Sequence, residues 1–215
     1  MKTKQQTKFC LAAALLAAFA VWTAAVRLVD VRTIGQRESS VGFAALNGFV
    51  HRLTGVHWTL YTITDWLGLV PLGFVLGFAV LGLAQWIRRK DIRKVDSDIL
   101  WLGGFYGIVM AFYIFFEIFA VNYRPVLIEG IPEVSYPSST TMLTLCVMPT
   151  AVMQLRARLR NRVFRHSASS AIAVFAIFMV IGRLLSGVHW FTDIVGGILL
   201  SAGLVMLYSA VNGLE

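Results

Sequence analysis

Residues 168–211 read ASSAIAVFAIFMVIGRLLSGVHWFTDIVGGILLSAGLVMLYSAV, two apolar runs joined by a hinge that holds Arg183, His189 and Asp193. A helix crossing the hydrocarbon core needs about 20 predominantly apolar residues. The runs from about Ala168 to Val188 and from about Asp193 to Val211 each come near that length. Charge at membrane depth is costly, so ionisable residues retained there mark a functional site. Arginine presents a planar fork to phosphate oxygens, histidine attacks or shuttles a proton, and aspartate holds an imidazole in one tautomer. Together the three point to phosphoryl chemistry at a membrane surface.

The rest of the chain has the same character. Of its 215 residues, 58% are hydrophobic and 14% charged, and mean hydropathy is +0.74. A water-soluble domain of this length cannot hide that much apolar surface. Further spans are expected at about Phe9 to Val29, Tyr61 to Ile87, Ile99 to Val121 and Thr141 to Leu155, which makes six. Lys2, Lys4 and Lys8 precede the first; Arg88, Arg89, Lys90, Arg93 and Lys94 follow the second; Arg156, Arg158, Arg160, Arg162 and Arg165 follow the fourth. All three clusters fall on one side, which the positive-inside rule makes cytoplasmic, with both termini inside. The formal charge of +8 is accounted for by this topology, so nucleic acid is not an expected partner.

The basic, apolar N-terminus also has the form of a signal peptide, with small residues at Ala24 and Ala25. Its apolar run is longer than the usual signal core, which favours an uncleaved span. Cys10 and Cys146 both fall in or near spans and imply neither a disulfide nor a metal framework. Between the first two spans, Ser39 or Ser40 is expected to cap a short helix in which Gly42, Leu46, Phe49, Val50 and Leu53 recur at helical spacing. Such a helix would lie on the outer leaflet. Glycines at Gly73, Gly77, Gly103, Gly104, Gly107, Gly196, Gly197 and Gly203 read as close helix packing. The fold expected is all-α: a polytopic six-helix membrane bundle, one domain over residues 1–215, with an external interfacial helix.

Three separated segments meet on the external face of that topology. Glu117-Ile-Phe-Ala-Val-Asn122-Tyr123-Arg124-Pro125 ends the third span, Tyr136-Pro137-Ser138-Ser139-Thr140-Thr141 opens the fourth, and Gly182 to Asp193 joins the last two. In these residues the chain resembles the type 2 phosphatidic acid phosphatase superfamily, whose pattern is Lys-x6-Arg-Pro, Pro-Ser-Gly-His and Ser-Arg-x5-His-x3-Asp. The third motif matches at Arg183, His189 and Asp193, with Gly182 in the place of serine. The first matches at Arg124-Pro125, with Glu117 where lysine is expected. The second matches at Pro137-Ser138, with Ser139 for glycine and Thr140 for histidine.

The resemblance implies a membrane phosphatase working through a phosphohistidine. His189 would attack phosphorus, Asp193 would orient and polarise its ring, and Arg124 and Arg183 would bind the phosphoryl oxygens. Ser138, Ser139 and Thr140 would add donors at the mouth of the fourth span, and neither metal nor other cofactor is required. The family's second-motif histidine protonates the leaving group, and a threonine hydroxyl is too weak an acid to do so. A lipid diphosphate escapes this need, because its leaving group is a phosphate monoester with a second pKa of about 6. The expected substrate is a lipid phosphate or, favoured by this leaving-group argument, an isoprenyl or other lipid diphosphate, at the external face of a bacterial plasma membrane. A head-group transferase and an inactive lipid-phosphate binder or transporter are the alternatives. Glu117, seven residues before Arg124, is expected to pair with it, to be protonated, or to lie too deep to meet the substrate, and His57 or His51 is a candidate to substitute for the missing acid. His51, His57 and Asp65 also read as interfacial or packing residues.

Overall fold

In the computed structural model residues 2–213 are described. The side chains of residues 2 and 3, Lys2 of the basic start among them, lie outside the described part. Eight α-helices carry the described chain: α1 (Lys2–Leu28), α2 (Ala44–Thr54), α3 (Trp58–Leu67), α4 (Leu69–Arg89), α5 (Ser97–Ile118), α6 (Ser139–Arg158), α7 (Arg162–Leu185) and α8 (Phe191–Asn212). Five segments are long and apolar enough to cross a membrane among the described residues: α1, α3 with α4, α5, α7 and α8. The expected span at Thr141 to Leu155 is helical, as α6, but is not among them. Its position explains why. Thr141, Thr144, Thr150 and Gln154 are all buried in a helix that packs against α4, α5, α7 and α8. Neighbouring helices meet two of these polar groups, Gln154 donating to the Tyr208 hydroxyl at 2.6 Å and the Thr150 hydroxyl bonding that of Tyr106 at 3.1 Å, so the helix does not depend on apolar composition alone.

α1 lies along α8. Gly203 permits that approach, since a Cβ there would stand 2.7 Å from Leu16 Cδ2. The glycines of α4 and α5 behave otherwise: Gly73, Gly77, Gly103, Gly104 and Gly107 have no neighbour within 4 Å of a built Cβ. Close packing through these five is therefore corrected. The gap between α4 and α5 contains two cavities of about 360 and 500 Å³; Gly103 and Gly104 line the second, and Gly73, Gly77 and Gly107 line neither. Val75 and Tyr106 line both.

Chain ends and charged loops gather at one end of the bundle. Gln5 donates to the Ala210 carbonyl at 3.0 Å, Arg158 pairs with Asp98 at 2.7 Å and Arg89 with Asp96 at 2.8 Å. The other end holds α2, the 119–138 connection and the α7–α8 hinge. The expected cap of α2 is corrected: Ser39 and Ser40 lie in an extended segment where Arg32 bridges Val41. Instead, Asp30 accepts from the Ala45 N–H at 2.7 Å, satisfying a donor that the first helical turn leaves free. That bond, ahead of the adjacent Arg32 charge, holds the Asp30 carboxyl below the ordinary carboxylate range.

Candidate active site

His189 owes its position to a tight turn. α7 ends at Leu185, and Gly187 takes φ +69°, a conformation L side chains rarely adopt. A Cβ there would also fall 1.8 Å from the Gly55 carbonyl oxygen, so the turn fits only glycine. His189 follows, 3% exposed, and Trp190 begins α8. Its Nε2 lies 3.2 Å from Arg183 Nη2 and 3.4 Å from Arg124 Nη1. Guanidinium nitrogens only donate, so Nε2 offers its lone pair and the neutral ring carries its proton on Nδ1. Nδ1 faces Asp193 Oδ2 at 3.8 Å. Burial, and then the charges of Arg124 and Arg183, push the imidazole well below its ordinary pKa, so the ring is neutral at neutral pH.

Asp193 is fully buried and fixed from two sides. Oδ1 accepts from Asn122 Nδ2 at 3.2 Å and Oδ2 from the Trp190 N–H at 2.9 Å. The second bond is half of a capping box, reaching from the first turn of α8 back to the residue that caps it. α8 is anchored in turn by Asn47 of α2, which donates to Thr192 Oγ1 at 3.0 Å and accepts from the Thr192 N–H at 3.2 Å.

The arginines reach His189 from opposite parts of the fold. Arg183, from the last turn of α7, is 1% exposed; it lies 5.0 Å over the Tyr61 ring and 3.5 Å from Asp65 Oδ1. Arg124 is on the 119–138 connection, a bent ladder in which its N–H bonds the Glu133 carbonyl at 2.9 Å and the Ser135 N–H bonds the Asn122 carbonyl at 3.0 Å. Its Nε pairs with Glu133 Oε2 at 3.0 Å. Two buried guanidiniums this close repel by a few kcal/mol at a protein's effective dielectric. An anion held between them removes that cost. The N-termini of α6 and α8 add positive dipole ends on the same side, tied together by the Ser138 N–H donating to the Asp193 carbonyl at 3.1 Å.

Arg183, His189, Asp193 and Arg124 thus converge as expected, and the other sequence candidates are distributed differently. Ser138 is buried, with its N–H given to Asp193 and its Oγ capping α6 through the Thr141 N–H. Its backbone donor is therefore committed to the fold and not open to a ligand. Ser139 and Thr140 line the 360 Å³ cavity. Glu117 does not pair with Arg124, because α5 ends at Ile118 and the seven-residue spacing is not carried along one helix. Glu133 takes that role. His57 is exposed and its Nε2 contacts the Thr54 carbonyl at 2.8 Å, and His51 packs edge-on to Trp190 at 5.5 Å. Gly182 stands in the place of the motif's serine because α3 crosses there: a Cβ would be 2.7 Å from Thr64 Cγ2. Among the described residues no cluster of three or more His, Cys, Asp or Glu is placed to hold a metal. Tyr61, Asn47, Asn122 and Glu133 escaped sequence reasoning. Only Asn122, two residues before Arg124 inside a matched segment, carried a signal.

Residues 104–213 match the family model of the PAP2 superfamily. The chain belongs to the PAP2 superfamily. Its fold is also similar to the crystal structure of a transmembrane PAP2-type phosphatidylglycerolphosphate phosphatase from Bacillus subtilis, with TM-score 0.68 over 94% of this chain and 96% of the other at 18% identity. No curated protein matches in sequence. A PAP2 membrane phosphatase fold accounts for where the motif residues meet, at the end of the bundle away from the charged loops.

Proposed function

We propose that this PAP2 protein hydrolyses a lipid diphosphate through a phosphohistidine on His189, at the external face of a bacterial plasma membrane. The observation that carries this reading is the aim of His189 Nε2, unprotonated and facing two buried guanidiniums. A terminal phosphoryl group held by Arg124 and Arg183 presents its phosphorus to that lone pair. Nε2 forms the P–N bond as the bridging P–O bond breaks. The arginines stabilise charge on the non-bridging oxygens, and Asp193 stabilises the cationic ring. Removing one such preorganised donor typically costs about 10²–10³ in kcat.

The lipid portion has a place beside this centre. The 360 Å³ cavity borders Ser139, Thr140 and Asp65 at one end and is otherwise lined by apolar residues such as Leu69, Leu72 and Met142. The chain places Thr140 where a leaving-group acid would stand, which supports a substrate whose leaving group departs as a phosphate monoester. The positive-inside pattern supports a six-span bundle with α6 at its centre, both termini cytoplasmic and the site external. Ser139 and Thr140 hydroxyls, at the cavity's polar end, fit contacts to the second phosphate.

The test is phosphate release by the purified protein from isoprenyl diphosphate, phosphatidylglycerolphosphate and phosphatidate, with His189→Ala as the paired variant. Diphosphate turnover well above both monophosphates, lost in His189→Ala, is the expected result. Equal turnover of all three overturns the diphosphate preference. Turnover that persists in His189→Ala overturns the mechanism. Product formation only when an alcohol acceptor is supplied reassigns the protein to head-group transfer.

A further inference from the structure

A phosphohistidine must be hydrolysed after it forms, and water attacking its phosphorus has a proton to lose. None of the four histidines other than the nucleophile itself is placed for that: His57 is bonded to Thr54, His51 packs on Trp190 and His166 is in α7 at the charged-loop end. We propose that Asp65 is the general base for this second step, the residue that accepts the proton of the attacking water. The inference rests on the hydrolase reading above.

Three observations place Asp65 there. First, one guanidinium links it to the nucleophile: Arg183 Nη1 is 3.5 Å from Asp65 Oδ1, and Nη2 of the same group is 3.2 Å from His189 Nε2. A phosphoryl group bound to that fork and bonded to Nε2 therefore lies within reach of the carboxylate. Second, Asp65 faces the cavity expected to take the lipid, and it is the one carboxylate among the described residues lining it. In-line displacement makes the side where the lipid oxygen departs the side where water later enters. A base must stand on that side, and Thr140, which lines the same cavity, has no basic group to offer. Third, the Asp65 side chain is 57% exposed and lines the cavity, while its arginine partner is 1% exposed. A purely structural counter-ion for a buried cation is expected to be buried with it, whereas a base must be open to the space that its water enters. Its backbone is nonetheless fixed, because α3 ends three residues on at Gly68, whose N–H bonds both the Thr64 and Asp65 carbonyls at 3.0 Å.

In the step itself, the water oxygen forms a bond to phosphorus and the P–Nε2 bond breaks, its electron pair returning to Nε2. The water proton passes to Asp65 Oδ, inorganic phosphate leaves, and Asp65 returns the proton to solvent. The carboxylate thus does for dephosphorylation what the first step, with its phosphate leaving group, does not need.

The experiment is a single-turnover assay of wild type and Asp65→Asn with a lipid diphosphate labelled on the terminal phosphate, quenched in alkali to preserve phosphohistidine. Asp65→Asn is expected to release one equivalent of lipid monophosphate in a burst at near the wild-type rate. It then discharges the label from His189 slower by roughly 10²–10⁴-fold, the usual range for lost general-base catalysis. A positioning role through Arg183 predicts another result, equal slowing of both steps without accumulated label, and that result overturns the proposal. So does unimpaired turnover. A second measurement needs no variant: in D₂O, wild-type dephosphorylation should slow, as expected when a proton moves in the transition state, while the burst does not. Equal rates in both solvents overturn the proposal even if Asp65→Asn fails to fold. Wild type that releases no phosphate overturns the hydrolase reading and this one with it, whereas active wild type with either contrary result overturns this one alone.

Discussion

His189, the proposed nucleophile, would also sense the site's charge. Burial and two arginines depress its pKa, so the neutral, attacking form persists below the ordinary histidine value of about 6.5. The acid limb of kcat/KM that belongs to His189 is therefore expected well below pH 6.5. Arg124→Ala removes one depressing charge, so the limb should move upward toward 6.5 while kcat/KM falls by at least 10²-fold; a pH profile of the two proteins checks both. The stability sign follows from the same shift. Unfolded chains take up the His189 proton below about pH 6.5 and the native state does not, so this group's contribution falls as pH drops through that window. Asn122 supplies a second residue-level expectation. Asn122→Leu leaves Asp193 Oδ1 buried without its donor, at a cost of about 1–3 kcal/mol. Thermal unfolding should register that loss, and phosphohistidine formation should slow because the ring's orienting group is loosened. Arg183, His189 and Asp193 were legible in sequence because charge inside an apolar run has few bland explanations. Asn122, Asn47 and Tyr61 were not, being ordinary interfacial residues until partners far along the chain, Asp193, Thr192 and Arg183, close over them.

Among the elements, α3 most alters how the third motif is read. Its Thr64 methyl stands where a side chain at Gly182 would go, and its Tyr61 and Asp65, one turn apart, face Arg183. Restoring the motif's serine is thus expected to harm this chain. Gly182→Ser should destabilise by about 1–3 kcal/mol through overpacking, and Thr64→Ala in the same protein should recover most of the loss. Unfolding midpoints of the single and double variants measure the coupling, and additivity between them would contradict the contact. Helix positions in the sequence were readable wherever apolar length sufficed, as in α1, α5, α7 and α8. α6 was found at the right place for an incomplete reason: its helix is real, but its core location, with Thr144, Thr150 and Gln154 buried, means that composition understates how central it is. The α4 and α5 glycines were misread because small residues at four-residue spacing serve equally to bring helices together or to leave room between them. Only the position of the neighbouring helix distinguishes the two.

Across the whole molecule, the gap between α4 and α5 runs from the site toward the charged-loop end. Its first cavity borders Thr140 and Asp65, its second is lined by Trp86, Ile92 and Ile99, and Val75 and Tyr106 belong to both. A lipid chain moving into it leaves a bilayer and not water, so little transfer free energy is gained on entry. Under the proposed function the gap would contribute alignment: it would fix the direction from which the head group meets Arg124 and Arg183, and orientation of that kind is worth more to reaction than to affinity. Gly104 allows a direct trial, because it lines the second cavity and a side chain there meets nothing within 4 Å. Gly104→Leu should leave stability unchanged or slightly raised, since leucine is the better helix former by close to 1 kcal/mol. It should lower kcat/KM about tenfold or more for lipid diphosphates whose chains extend into the second cavity, and leave short-chain diphosphates that fill only the first unaffected. Measured across a chain-length series, a break in the variant's kcat/KM at one length marks where the chain passes Val75 and Tyr106. A uniform loss at every length would place the lipid elsewhere on the bundle.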